Sequence, residues 1–189
     1  MRKIESIFDE HNIVFEKTKS DLLSVINKVS ILTLKTLKNN NKLLLFGNGG
    51  SASDSQHLAA EFVGRFKNER ISLPAISLNT DTSIITAIAN DYGYENIFKR
   101  QIESIANDND IIFAFSTSGN SPNVLEALKY VKEDFNKNII SILFTGNKKG
   151  KAEKYANYVI DIPSSNTARI QEMHIMIGHI ICEFVDERF

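Results

Sequence analysis

Residues 42–50 read Lys-Leu-Leu-Leu-Phe-Gly-Asn-Gly-Gly, and residues 110–121 read Asp-Ile-Ile-Phe-Ala-Phe-Ser-Thr-Ser-Gly-Asn-Ser. Each is a short apolar run without alternation that ends in a loop of small polar residues. Such runs suit strands buried on both faces of a parallel sheet. Working outward, the same pattern predicts five strands: Leu43 to Phe46, Ala75 to Leu78, Ile111 to Phe115, Ile139 to Phe144 and Tyr158 to Ile162. Between and after them, helical periodicity covers Ala52 to Phe66, Thr82 to Asn90, Asn96 to Ala106, Val124 to Phe135 and Thr167 to Phe189. Strands alternating with helices imply an α/β fold with a parallel five-stranded sheet covered on both faces. Ligands in such folds bind at the carboxyl ends of the strands, where the strand order reverses. The Gly/Ser/Thr loops fall at those ends.

Ahead of the first strand, Ile4, Ile7, Phe8, Val14 and Phe15 recur at helical steps, and so do Leu22, Leu23, Ile26, Val29 and Leu32. The reading is two amphipathic helices, with Asp21 placed to cap the second and Asn39-Asn40-Asn41 ending it. They serve either to cover the sheet or to form a subunit interface. The 189 residues are expected to make one domain: helices over 1–40 and an α/β core over 41–189.

Composition narrows the function. Lys+Arg number 22 against Asp+Glu 23, a formal net charge of -1, which argues against a nucleic-acid partner. Cys182 is the single cysteine, so neither an intrachain disulfide nor a cysteine zinc site is available. The first ten residues are charged and lack a signal-peptide core, and no stretch is apolar enough to cross a membrane. A cytoplasmic location is expected.

Two loops carry chemistry. Gly47-Asn48-Gly49-Gly50-Ser51 lets backbone N–H groups approach a ligand at a helix start, where an anion is favoured. It is neither GxGxxG nor a Walker A sequence, so dinucleotide and nucleoside triphosphate readings are weak. Ser116-Thr117-Ser118-Gly119-Asn120-Ser121 offers four hydroxyls in six residues. A helix cap needs one; four favour a phosphate monoester with its several acceptor oxygens.

On the helices, His57 and Glu61 stand four apart and share a face. Gln171 and His179 stand eight apart, just over two turns, and also share one. Gly178 beside His179 removes a side chain where another element can approach. Together they supply either ligands for a divalent metal such as zinc or a general base and acid. His11 and His174 are left out, and Cys182 reads as core.

These motifs in this order, together with Asp54, Ala89-Asn90-Asp91-Tyr92-Gly93, Arg169-Ile170-Gln171-Glu172 and His174, resemble the phosphoheptose isomerases. The resemblance spans essentially the whole chain. It implies a flavodoxin-like three-layer α/β/α fold, the SIS domain, assembled as a homotetramer with active sites near subunit contacts. It implies Zn²⁺, one per subunit, at His57, Glu61, Gln171 and His179. It implies phosphate contacts from Ser116, Thr117, Ser118 and Ser121 with Ser51, and a sugar site lined by Asn48, Gly49, Gly50, Asn90 and Asp91. The implied reaction converts sedoheptulose 7-phosphate to D-glycero-D-manno-heptose 7-phosphate through an enediol, for bacterial lipopolysaccharide or capsule. Glu61 is then the base and His179 the acid, although a glutamate bound to zinc is a weaker base. Residues 163–168 do not match the family pattern and receive no site assignment. The alternatives are another ketose-phosphate isomerase, or a non-catalytic relative that binds a partner protein. The His57/Glu61/Gln171/His179 set discriminates, because a pure binding module has no chemical need of it.

Overall fold

The computed structural model describes residues 1–148 and 150–189. Five strands, β1 (Leu43–Phe46), β2 (Ala75–Ser77), β3 (Ile111–Phe115), β4 (Ile140–Gly146) and β5 (Tyr158–Ile162), form one sheet. All neighbours pair in parallel, in the order β2-β1-β3-β4-β5. This is the flavodoxin-like order, and its reversal lies between β1 and β3. The two decisive stretches are therefore adjacent strands, with Leu43 paired to Ile111 and Phe46 to Ala114.

Alternate residues of each strand face opposite layers. Leu43, Leu45, Phe113 and Phe115 pack in one core with α1 (Arg2–Lys38), α2 (Gly50–Val63) and α6 (Thr167–Asp186). Leu44, Phe46, Ile112 and Ala114 pack in the other with α4 (Ile97–Ile105) and α5 (Pro122–Glu133). On that second face α3 (Thr82–Tyr92) contributes the partly buried Ile85 and Ile88. Every residue of β1 and β3 is buried, as their continuous apolar runs required.

One expectation is corrected. The N-terminal region is a single 37-residue helix, α1, rather than two. Its stretch holds no glycine or proline. The buried stripe Val14, Thr18, Leu22, Ile26, Val29 runs through the presumed break without losing step. Asp21 does not cap; its carboxylate accepts from the Ser20 hydroxyl at 2.6 Å. The first turns extend past the core, leaving Ile4, Phe8 and Ile13 exposed. Three contacts tie them to the start of α6. Arg169 donates to the Ile7 carbonyl at 3.0 Å, Asn166 to Glu10 at 3.0 Å, and His11 Nδ1 lies 2.7 Å from Glu172.

Candidate active site

The loops after β1 and β3 flank the reversal point and enclose a cleft of ≈ 290 Å³. Asn48, Gly49, Gly50, Ser51, Ser116, Thr117, Ser121 and Gln171 line it, with Phe115 and Thr167. Gly49 has φ +57°, a conformation that glycine adopts freely. At Gly50 a Cβ would lie 2.6 Å from Gln171 Nε2, so a larger residue there would push the glutamine amide from its place. Asparagines pin the loop. Asn79 donates to the Gly47 carbonyl at 2.8 Å and accepts its N–H at 3.2 Å. Asn48 and Asn123 exchange two amide hydrogen bonds, each 2.8 Å.

Helix starts at this end of the sheet differ. Asp81 caps α3 and Asn166 caps α6 through side-chain oxygens. By contrast α2, which opens onto the cleft, has no side-chain cap; its Ser51 amide donates to the Asn48 carbonyl at 3.0 Å and the Ala52 and Ser53 amides to the Gly49 carbonyl at 3.0 and 3.2 Å. Ser121 occupies the N-cap position of α5, yet its hydroxyl does not cap. It meets Ser116 Oγ at 2.9 Å instead. The simple capping explanation of this serine therefore fails. Ser118 lies apart from the main cleft, lining an adjoining hollow of ≈ 140 Å³ that shares Thr117 and Thr167 with it.

The second part of the site follows from how α2 and α6 run side by side in the same direction. Gly50 meets Gln171 at the start of the seam. Farther along, Gly178 admits Leu58, whose Cδ1 would be 2.5 Å from a Cβ at that position. The close approach anticipated at Gly178 is thus made by α2. Here the histidines meet: His179 Nε2 lies 3.1 Å from His57 Nε2, and His57 Nε2 lies 3.1 Å from Glu61 Oε1. Donor atoms of all three fall within 4.8 Å of one another. Nitrogens about 2.0–2.1 Å from one tetrahedral ion stand about 3.3 Å apart, so this cluster has the donor types and spacing of a zinc-class site. Burial, with the His57 charge beside it, pushes the His179 pKa down, and Glu61 partly opposes this. A neutral imidazole keeps the lone pair that a metal requires.

Two assigned residues are not drawn into the cleft. Asn90 and Asp91 sit exposed on the last turn of α3, bonded to each other at 2.8 Å. Their neighbour Tyr94 does reach inward, donating to Asn48 Oδ1 at 3.3 Å. Tyr94, Asn79 and Asn123 were missed because nothing in their spacing links them to Gly47 or Asn48. Asp54, one turn before His57, has no role in the sequence reading. Burial pushes its carboxyl up to about 6, His57 opposing, and its Oδ2 is buried without a hydrogen-bond partner. His174 is fully buried under α6, donating to the Thr145 carbonyl at 3.2 Å; burial pushes it down to about 4. It lines neither the cleft nor the histidine cluster. Cys182 is buried core, its thiol pushed up by burial.

Known proteins share this fold and much of this sequence. The SIS domain family model matches residues 8–143. The chain is 49% identical over 189 residues to a phosphoheptose isomerase of a Nitratiruptor species, covering 100% of both. It is 48% identical over 186 residues to phosphoheptose isomerase 2 of Campylobacter jejuni, covering 97% of this chain and 91% of that one. Among solved structures, the phosphoheptose isomerase of Neisseria gonorrhoeae superposes with TM-score 0.91 at 36% identity, covering 98% of each chain. That of Francisella tularensis gives 0.93 at 33%, covering 98% and 97%. With fold, length and sequence agreeing from end to end, the chain belongs to the phosphoheptose isomerases, within the SIS-domain family.

Proposed function

We propose that this isomerase interconverts sedoheptulose 7-phosphate and D-glycero-D-manno-heptose 7-phosphate through an enediol, supplying bacterial lipopolysaccharide or capsule synthesis. The observation that carries the reading is the layout of the seam. Hydroxyls and an uncapped helix start sit at one end of it, and a carboxylate with two imidazoles lies about two turns farther along. A phosphate held at the first end extends the sugar chain toward the second. Ser51, Ser116, Thr117 and Ser121 take the phosphate in the cleft, with Ser118 assigned to it from the adjoining hollow; Asn48, Gly49, Gly50 and Gln171 line the sugar path. Asn90 and Asp91 are assigned to the sugar in the assembled oligomer, a homotetramer in the cytoplasm. The exposed apolar residues of α1 suit burial between subunits.

Glu61 removes the carbon-bound proton, and His179 delivers a proton to the carbonyl oxygen. The lowered pKa of His179 makes its neutral N–H the donor, as a neutral imidazole can be in an isomerase. His57, Glu61, His179 and Gln171 would hold one Zn²⁺ per subunit, which when bound polarises a substrate oxygen. The test is incubation of purified protein with sedoheptulose 7-phosphate in deuterated water, followed by NMR. The aldose product should form with deuterium at C2. Unphosphorylated sedoheptulose should turn over far more slowly, because binding energy at the phosphate is used at the reacting carbons. Equal kcat/KM for the two sugars overturns the phosphate assignment, and no aldose product overturns the reaction.

A further inference from the structure

Between α2 and β2 the chain carries Arg70, whose side chain is 2% exposed. It pairs with Asp186, 1% exposed, at the last residue of α6, with Nε donating to Oδ1 at 2.9 Å. The rest of the guanidinium turns to the end of α2. Nη2 donates to the Glu61 carbonyl at 2.8 Å, and Nη1 to the carbonyls of Phe62 at 2.9 Å and Ile71 at 2.8 Å. The other oxygen of Asp186 accepts the backbone amides of Lys67 at 3.0 Å and Asn68 at 2.7 Å. One ion pair thus gathers the closing turns of both helices and the strand-bound segment between them.

Glu61 and Phe62 lie in the last turn of α2, where carbonyls have no helical partner and a cation is favoured. A planar five-donor fork can serve these carbonyls and a carboxylate together; a lysine ammonium cannot. Stability alone is a weak reason for such a pair, because apolar replacement of a buried ion pair is often neutral. What these bonds constrain is geometry. Arg70 holds the backbone of Glu61 while leaving its side chain free, and Asp186 ends the helix that carries His179.

We infer that Arg70 and Asp186 are positioning residues that set the rotation and separation of α2 and α6, and through them the fit of His57, Glu61 and His179 to a metal. The inference rests on the metal reading above. A second buried pair serves as its control. Lys42 and Asp110 (16% and 1% exposed, 2.6 Å) sit at the opposite, amino-terminal end of β1 and β3. Its side-chain bonds join the two residues to each other and to the Asn107 amide, away from α2 and α6.

The test measures Zn²⁺ affinity by competition with a chromophoric chelator, beside urea unfolding of each metal-free protein. R70K keeps the charge and loses the fork; R70M/D186L removes both charges. Altered support of metal ligands typically costs 10–100-fold in affinity, and both variants should bind Zn²⁺ that much more weakly while unfolding cooperatively. K42M should lose stability yet bind Zn²⁺ within about twofold of wild type. Should R70M/D186L fail to fold, R70K alone decides. Wild-type affinity in folded R70K overturns the positioning role. Absence of Zn²⁺ binding by the wild-type protein overturns the metal reading and this inference with it.

Discussion

The two ends of the α2/α6 seam are built by different means. At the proposed phosphate end, contiguous residues of two loops supply the hydroxyls and most of the lining, with Thr167 and Gln171 of α6 completing it. At the metal end, three side chains from two helices converge across 122 residues of sequence between His57 and His179. The first kind of site keeps each loop's groups together by local turn geometry, and the pairing of β1 with β3 brings the two loops side by side. The second exists only if two helices pack at one rotation, so its precision is a tertiary property. Gly178, Leu58 and the Arg70–Asp186 pair are where that rotation is fixed.

The largest expected effect breaks the metal end alone. Glu61→Gln preserves shape but removes the basic oxygen. Turnover should fall by on the order of 10²–10⁴, the usual contribution of a positioned base. Exchange of the substrate's carbon-bound proton with deuterated water should fall with it, while sugar phosphate still binds. Metal content is measured in the same sample. Wild-type exchange with metal retained would remove Glu61 from the base role.

Next comes the helix on which the metal end rests. His174 titrates at about 4 in the fold against an ordinary 6.5, because burial disfavours its charged form. The unfolded chain therefore binds the proton more readily. Stability attributable to this group is complete above pH 6.5 and is lost as pH falls from 6.5 toward 4, by about 3 kcal/mol in all. Urea unfolding across that range should show the loss in wild type and a flatter profile in His174→Gln. Parallel profiles would mean that other groups carry the acid sensitivity.

At the phosphate end, effects should be smaller because they are shared. Ser121→Ala removes one hydroxyl of several. kcat/KM for the sugar phosphate should fall about tenfold, the scale of one hydrogen bond to a charged group. A kcat loss as large as that of Glu61→Gln would erase the distinction between the two ends.

The smallest effect concerns a signal that misled. Lost N-caps typically cost about 1 kcal/mol. Asp21 lies mid-helix and exposed in α1, so Asp21→Ala should stay within about 0.5 kcal/mol of wild type in thermal or urea unfolding. A full cap-sized loss would favour two helices over one.

The same contrast explains what could be read in the sequence. The bounds of β1, β3 and β5 were legible because doubly buried strands are unbroken apolar runs closed by polar turns. The hydroxyl loop was legible because its chemistry is contiguous. At Asp21, a good capping residue on the exposed side of a continuous helix mimicked a boundary that only the buried stripe could disprove. His57 with Glu61 and Gln171 with His179 were legible as helix faces, yet no periodicity states that two faces meet. Gly178 was the nearest thing to a tertiary signal. Asn123 and Tyr94 act on the Asn48 amide, and Arg70 joins the carbonyls ending α2 to the Asp186 carboxylate; no local pattern marks these pairings.

The length of α1 has a mechanical consequence. At 1.5 Å per residue, 37 residues make a rod about 55 Å long. Its outer turns are held at Ile7, Glu10 and His11 by Arg169, Asn166 and Glu172, so two of the three holds flank Gln171. The rod is a lever with its fulcrum on the sheet. The free arm before Val14 is about 18 Å long, so tilting it by about 5° would sweep its tip through about 1.6 Å. Whatever grips the outer turns, whether an affinity tag, an antibody or a neighbouring subunit, therefore applies torque one residue away from the cleft.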